Sequence, residues 1–300
     1  MPPNDPPLVS PTTIEGALEQ LSDEGALAVA GGTSLAMLLK TNLIAPDRLV
    51  SLRRVPQLGA IATRDSHLRL GAMVSMRTLV ASPMVRATTP ALAEAASRVG
   101  NPRVRAMATI GGAITHADPR QDVPPVLLAL GAHACLAGPD GERTVPMSEY
   151  FFGFMDTAAQ EDELITEVVI PVREHTRAVY VRYTPNSYDD YPVVGVAVAA
   201  DLAGDGSVAS ARIAVGGVDS TAVLATHAAE MLAGHRPDRD VLAAAAASAA
   251  AAVNPGDDRR GAAEYKRAMT QVWVRRALER CLVRPAVATR PPAMRPRRNA

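Results

Sequence analysis

Three stretches of this 300-residue chain bring chemically capable groups together. The first is Ala30-Gly31-Gly32-Thr33-Ser34, preceded by the apolar pair Ala28-Val29 and followed by Leu35. Adjacent glycines let backbone N–H groups turn into a shared concavity. Thr33 and Ser34 add hydroxyls, and the start of a following helix adds a positive dipole end. These features suit a diphosphate, although an ordinary strand–helix turn carries the same letters. The stretch has neither the Gly-Lys-Ser/Thr of a Walker loop nor the G-x-G-x-x-G of a Rossmann unit.

The second stretch is Ala108-Thr109-Ile110-Gly111-Gly112-Ala113, followed by Ala117-Asp118-Pro119 and Asp122. Its glycine pair allows a flat or charged ligand to approach the backbone. Asp118 and Asp122 can accept hydrogen bonds from sugar hydroxyls, and Asp122 also sits where it caps the next helix. The third is Tyr188-Asp189-Asp190-Tyr191-Pro192, just ahead of an apolar run. Aromatic residues make up only 3% of the chain, so a loop tyrosine is a candidate for covering a planar ligand. It is equally a candidate for a loop anchor with its hydroxyl in solvent.

Other chemistries find less support. His116, Asp118 and Asp122 lie in a Pro-interrupted segment where nothing orients them onto one metal. No G-x-S-x-G elbow is present, and no acid–base pair stands out, so no catalytic residue and no metal ligand are assigned. Cys135 and Cys281 sit in apolar runs and read as core thiols. Two cysteines cannot supply the roughly four thiolates of an iron–sulfur cluster. With 31 basic and 31 acidic residues the formal charge is zero, which argues against nucleic-acid or polybasic membrane binding. No apolar run approaches the ~20 residues of a membrane span, and no secretory signal opens the sequence. A reducing, cytoplasmic setting is the expectation.

The elements that must position these groups follow from the apolar pattern. Residues 1–11 hold five prolines and read as an extended lead-in. Thr12 and Glu15 fit a capping box before a first helix. Short strands are expected at 26–30, 48–52 and 67–74, with Ser75 capping a helix after the last. A helix is expected from Pro90 to Val99, and residues 100–122 read as a long polar connection. A helix from Asp122 to Leu130 stops at Gly131. A hairpin at 132–146 turns on Gly138-Pro139-Asp140-Gly141, and a strand runs from 163 to 170. Beyond Pro171 the pattern changes to three strands (178–184, 193–200, 208–215) and then helices at 226–233, 239–253 and 261–282. Strands followed by helices imply an α+β layer with helices on one face of an antiparallel sheet. The expected division is 1–172, 173–284 and a disordered tail, 285–300.

Together these motifs resemble one family: the FAD-binding, or medium, subunits of the molybdenum hydroxylases. Ala30 to Lys40 resembles the family's A-G-G-T-x-L with a Met- and Leu-rich helix and a Lys. Ala117-Asp118-Pro119 and the run from Asp122 to Ala132 resemble its A-D-P-x-x-D-x-P-P-x-L-L-A-L-G-A. Asp190-Tyr191-Pro192, Ala211 to Val218, and Pro255, Asp258, Gly261, Ala263, Glu264, Tyr265 and Lys266 resemble three further family patterns. The resemblance covers residues 8–283.

It implies a two-subdomain FAD-binding domain of the vanillyl-alcohol-oxidase type, then a smaller C-terminal α+β domain. It implies that Ala28, Val29, Ala30, Gly31, Gly32, Thr33, Ser34 and Leu35 wrap the FAD diphosphate. Thr109, Ile110, Gly111, Gly112 and Ala113 would form a second FAD loop, with Asp118 and Asp122 nearby and Asp122 on cofactor hydroxyls. Ile165 and Arg182 match positions that contact the cofactor, and Tyr191 would guard one face of the isoalloxazine ring. Ala113 replaces the family's usual Asn, and Val99 replaces an aromatic residue of some relatives. Each substitution removes one contact. The function implied is electron transfer in a molybdenum hydroxylase complex. An iron–sulfur subunit would deliver electrons, a molybdenum-cofactor subunit would hydroxylate the substrate, and an external acceptor would take the electrons. A stand-alone flavin oxidase or reductase, and a non-catalytic assembly subunit, are the alternatives.

Overall fold

The computed structural model describes residues 6–173 and 175–283. The expected tail at 285–300 and the first five residues of the lead-in lie outside the described residues. The lead-in does not simply trail: it contributes a short strand, β1 (Leu8–Val9). Helix α1 (Ile14–Leu21) follows, capped by Thr13 and not Thr12, with the Thr13 hydroxyl accepting from the Gly16 amide at 3.0 Å. Next come β2 (Ala26–Val29), α2 (Leu35–Lys40) and β3 (Arg48–Ser51). β3 is the central strand and runs parallel to both neighbours. A parallel pair needs a crossover, and the Gly31-Gly32 turn with α2 supplies it. The small core here holds Ala17, Leu21, Val50, Leu52, Val55 and Leu58.

The second unit opens with β4 (Ile61–Arg64) and β5 (His67–Gly71). Six helices follow: α3 (Met76–Ala81), α4 (Pro83–Thr88), α5 (Pro90–Arg98), α6 (Pro102–Met107), α7 (Ile110–His116) and α8 (Val123–Leu130). Then come β6 (His133–Gly138), β7 (Gly141–Pro146), the small β8 (Phe151–Gly153) and β9 (Asp156–Thr157) hairpin, and β10 (Leu164–Pro171). The five-stranded sheet has the order β4-β5-β10-β6-β7 and is antiparallel throughout. The late strand β10 therefore closes the middle of a sheet built from earlier ones.

Residues 100–122, expected as a connection, instead contain two helices. Asn101 caps α6 by accepting from the amides of Arg103 and Val104. Thr109 caps α7 by accepting from the Gly112 amide at 3.1 Å. Glycine weakens a helix interior by roughly 1 kcal/mol relative to alanine, which is why the pattern resembles a loop. Contact explains the residue choice: a Cβ on Gly111 would lie 2.6 Å from the Ala72 Cβ and 2.8 Å from the Ala72 carbonyl oxygen.

The last unit is an antiparallel sheet, β11 (Arg177–Tyr183), β12 (Val194–Leu202), β13 (Val208–Gly216) and β14 (Val223–Leu224). It is followed by α9 (Thr226–Glu230), α10 (Arg239–Ala251) and α11 (Ala263–Leu278). Alternation along the strands sorts their side chains. Val196, Val198, Ala200, Ile213 and Val215 share a core with α10 and α11, including Ala245, Ala246 and Ala249. Tyr180, Ala197, Ala199 and Ala214 join the core of the second unit beside α5 and α8. The sheet carries its own helices on one face, and the other face is covered by helices of the preceding unit.

Cys281 is buried in this layer, and burial pushes its thiol up to about 12, so it stays protonated and inert. Cys135 is half-buried, and both cysteines are free. Among the described residues no helix is long and apolar enough to cross a membrane. Gly111→Val should lower stability by about 1–3 kcal/mol through overpacking against Ala72, read as a lower urea midpoint with an unchanged slope.

Candidate cofactor site

The first diglycine turn leaves β2 where Ala28 pairs with Val50 and Val29 with Ser51. Gly31 lies directly on the second motif: a Cβ there would be 1.9 Å from the Met107 carbonyl oxygen. Gly32 has φ +71°, a left-handed conformation that glycine adopts freely. Its outer side is open, since an added Cβ would meet only Val29 Cγ1 at 3.7 Å. The amides of Gly31, Gly32, Thr33 and Ser34 donate to no acceptor among the described residues. Four consecutive free donors around an open glycine form a cradle for an acceptor-rich anionic group. Leu35 then begins α2, none of whose residues is buried.

The second motif touches the first. A Cβ on Gly112 would lie 3.4 Å from that of Ala30. Four of its amides, however, are already used. Ile110 donates to the Val74 carbonyl (3.0 Å) and Gly111 to that of Ala72 (2.8 Å). Gly112 donates to the Thr109 hydroxyl (3.1 Å) and Ala113 to the Thr109 carbonyl (3.0 Å). This segment contributes shape and close approach, and the first contributes free donors. Ile165 is buried at the start of β10, one residue before Thr166, whose carbonyl accepts from Ala72. Ile165 belongs to the same buried core as Ala72 and Ile110.

A second cluster lies beyond the other end of α7, a helix of seven residues that spans about 10 Å. Asp118 is buried and holds Arg120 through two parallel bonds, Nε to Oδ1 at 2.9 Å and Nη2 to Oδ2 at 3.0 Å. The Arg120 guanidinium stands 5.4 Å from the Tyr191 ring centroid. A second guanidinium, Arg260, stands 5.9 Å from the same centroid and donates to Asp190 Oδ1 at 2.9 Å. That bond holds the Asp190 carboxyl below the usual carboxylate range. Tyr191 itself remains 41% exposed.

Asp122 and Arg182 meet each other. Asp122 makes no side-chain cap on α8. Its buried carboxylate accepts from the Tyr180 hydroxyl at 2.7 Å and, through both oxygens, from Arg182 Nη1 at 2.9 Å. A charge so deeply placed requires a partner. Burial raises the Asp122 carboxyl above its ordinary value, opposed by Arg182 and the Tyr180 hydroxyl. Arg182 spends its other donors on the carbonyls of Arg98 (3.1 Å), Tyr188 (2.6 Å) and Asp190 (2.6 Å). The pair thus pins the loop that carries Tyr191 onto the ends of α5 and α8.

Sequence reasoning singled out neither Arg120, Arg260 nor Tyr180. Arg120, two residues after Asp118, carries a local signal. Arg260 lies inside the Asp258–Gly261 stretch, whose resemblance to a family pattern was the available signal.

Comparison with known proteins identifies the family. Residues 5–173 match the family described as the FAD binding domain in molybdopterin dehydrogenase. Residues 179–281 match the CO dehydrogenase flavoprotein C-terminal domain. The carbon monoxide dehydrogenase medium chain of Hydrogenophaga pseudoflava is 35% identical over 261 residues, 87% of this chain and 90% of its own length. The alpha subunit of the 6-hydroxypseudooxynicotine dehydrogenase complex of Paenarthrobacter nicotinovorans is 32% identical, over 91% of this chain and 93% of its own length. The solved carbon monoxide dehydrogenase of H. pseudoflava superposes with a TM-score of 0.91 at 36% identity, covering 95% of this chain and 100% of the compared one.

Asp122→Ala and Arg182→Leu should each cost about 3–5 kcal/mol, because each leaves a buried charge unpaired. The double variant should lose far less than the sum, and a denaturant-melt cycle measures the difference.

Proposed function

The chain belongs to the family of FAD-binding medium subunits of molybdenum hydroxylases, and we propose which of its residues hold the flavin and what surrounds it. It is an FAD-binding electron-transfer subunit of an oxidoreductase. The observation that carries the residue assignment is the run of free amides at Gly31, Gly32, Thr33 and Ser34, held in place where Gly31 meets Met107.

In this reading those four amides receive the diphosphate, with Ala28, Val29, Ala30 and Leu35 shaping the walls of the turn. Thr109 to Ala113 form the opposite wall. Capping and packing consume the amides of Ile110 to Ala113, and the Thr109 amide stays unpaired among the described residues. Ile165 backs that wall. Tyr191 covers the planar end of the cofactor, and Asp118 fixes Arg120 beside the tyrosine. Arg182 and Asp122 act through the loop they anchor: every Arg182 Nη1 and Nη2 contact is to protein, so their part is to hold Tyr188 to Tyr191 in place. FAD supplies a carrier that takes up electrons singly and releases them in pairs, and the protein's part is to bind and orient it.

We further place this chain beside separate iron–sulfur and molybdenum-cofactor subunits and an external acceptor, in the cytoplasm. Two free cysteines leave a cluster to another chain, and they suit a reducing compartment. Residues 1–172 would hold the cofactor and 173–284 would close over its planar end.

The purified chain should be yellow or take up added FAD, with a melting temperature that rises with FAD concentration. At a hundred times Kd the stabilisation should be about 2.7 kcal/mol. Gly31→Val should weaken FAD binding at least about tenfold by forcing the turn away from Met107. A wild-type chain that stays colourless in excess FAD would overturn the reading. Reduction of the bound flavin by a small organic substrate without partner chains would favour a stand-alone oxidase or reductase.

A further inference from the structure

The loop from Pro255 to Gly261 is one of the patterned stretches of the sequence, and electron transfer gives it no role. Its internal bonds make it a rigid bracket. Lys266, buried at the start of α11, donates to the Gly256 carbonyl at 2.7 Å and pairs with Asp258 Oδ1 at 2.8 Å. Asp258 Oδ1 also accepts from the Arg260 amide at 2.8 Å, and Asp257 Oδ1 accepts from the Ala263 amide at 2.7 Å. Gly261 has φ +147°, and a Cβ there would strike the Tyr265 ring at 2.7 Å.

The bracket grips the Tyr191 loop at both of its ends. At the near end, the Tyr265 hydroxyl hydrogen-bonds that of Tyr183 at 2.8 Å, and Tyr183 stacks on Trp273 at 5.6 Å. At the far end, Arg260 pairs with Asp190, whose Oδ1 also accepts from the Tyr191 amide at 2.7 Å. The Arg260 Nε is buried and finds no acceptor among the described residues. Hydrogen bonding therefore does not fully account for where this guanidinium sits. Its distance from the Tyr191 ring lies within the range of cation–π attraction.

We propose that Arg260 is the positioning residue for Tyr191, fixing the tyrosine ring between itself and Arg120 so that the ring limits access to the flavin. The proposal rests on the placement of Tyr191 over the cofactor given above. It adds that the orientation is set from α11's leading loop, about seventy residues away in sequence. Arg120 reaches the ring from the first half of the chain and Arg260 from the second, so the ring is held only when the two halves are docked. Lysine does not replace Arg260, because an ammonium cannot both pair with Asp190 and present a flat face to the ring.

The test uses the full chain with ring-labelled tyrosine. Six tyrosines are present, and loss of one signal in Tyr191→Phe assigns the relevant resonance. In FAD-free protein, Arg260→Ala and Arg260→Lys should both shift and broaden the Tyr191 ring signals while leaving those of buried Tyr150 and Tyr180 in place. Asp190→Asn, which keeps the size of the side chain, should do the same more weakly. In FAD-loaded protein, reoxidation of the reduced flavin by oxygen should quicken about fivefold in Arg260→Ala, the scale of one guanidinium–aromatic contact. FAD affinity should change less than that. Wild-type Tyr191 signals in both Arg260 variants and in Asp190→Asn would overturn the proposal whether or not FAD binds. Shifted signals with an unchanged reoxidation rate would overturn the link to flavin access. A wild-type chain that takes no FAD would sink the function assigned above, and the FAD-free spectra would still decide whether Arg260 positions the ring.

Discussion

The most deeply buried ion pair among the described residues, Arg182 with Asp122, ties the two halves of this protein together. Arg182 extends from the sheet of the C-terminal half into a space bounded by the end of α5 and the beginning of α8. There it meets the buried carboxylate of Asp122 and the carbonyls of Arg98, Tyr188 and Asp190. The fixed fork of arginine donors suits such a set of acceptors. A buried ion pair adds little stability beyond what apolar residues of equal volume would give. Its consequence here is geometric. The halves can dock in only one register if both charges are to be neutralised, and that register brings Tyr191 beside Arg120. The domain interface thus decides which side of the tyrosine meets Arg120, while Arg260 holds the ring from its own half.

The second constraint is closeness of approach, which the composition makes possible. With aromatics at 3% and hydrophobic residues at 48%, small side chains carry much of the packing. Gly31 against Met107, Gly111 against Ala72, and Gly195 against the Tyr180 hydroxyl are contacts that a single methyl group would disturb. The alanine-rich α10 packs closely on α11 and α9 for the same reason, with Ala245, Ala246 and Ala249 buried. Dense interiors tolerate such substitutions poorly, so the cofactor turn inherits its shape from backbone contacts behind it.

Much of this was legible in the sequence, for identifiable reasons. The strand–turn–helix at 26–40, the stop at Gly131, the hairpin at 133–146 and the C-terminal strands followed by helices all arise from local signals: apolar periodicity, glycine punctuation and caps. What escaped was non-local. The segment at 100–122 read as a loop because its glycines serve contacts with Ala72 and Ala30, which no local rule reveals. Asp122 had the position of a cap, but its partner lies sixty residues on. Arg120 and Arg260 become neighbours of one ring only after folding. The strand at Leu8–Val9 was hidden because two residues carry no pattern of their own.

The middle layer has a consequence for synthesis on the ribosome. One face of the sheet at 177–216 completes the core begun by residues 68–170, through Tyr180, Ala197, Ala199 and Ala214. The nascent chain therefore emerges with the apolar sides of α5 and α8 still uncovered, and they stay so until about forty more residues have left the exit tunnel. During that interval the cofactor turn can already exist, since its own small sheet is finished by Ser51. Under the assignment proposed above, the growing polypeptide meets its ligand before the segment that covers the planar end has been translated.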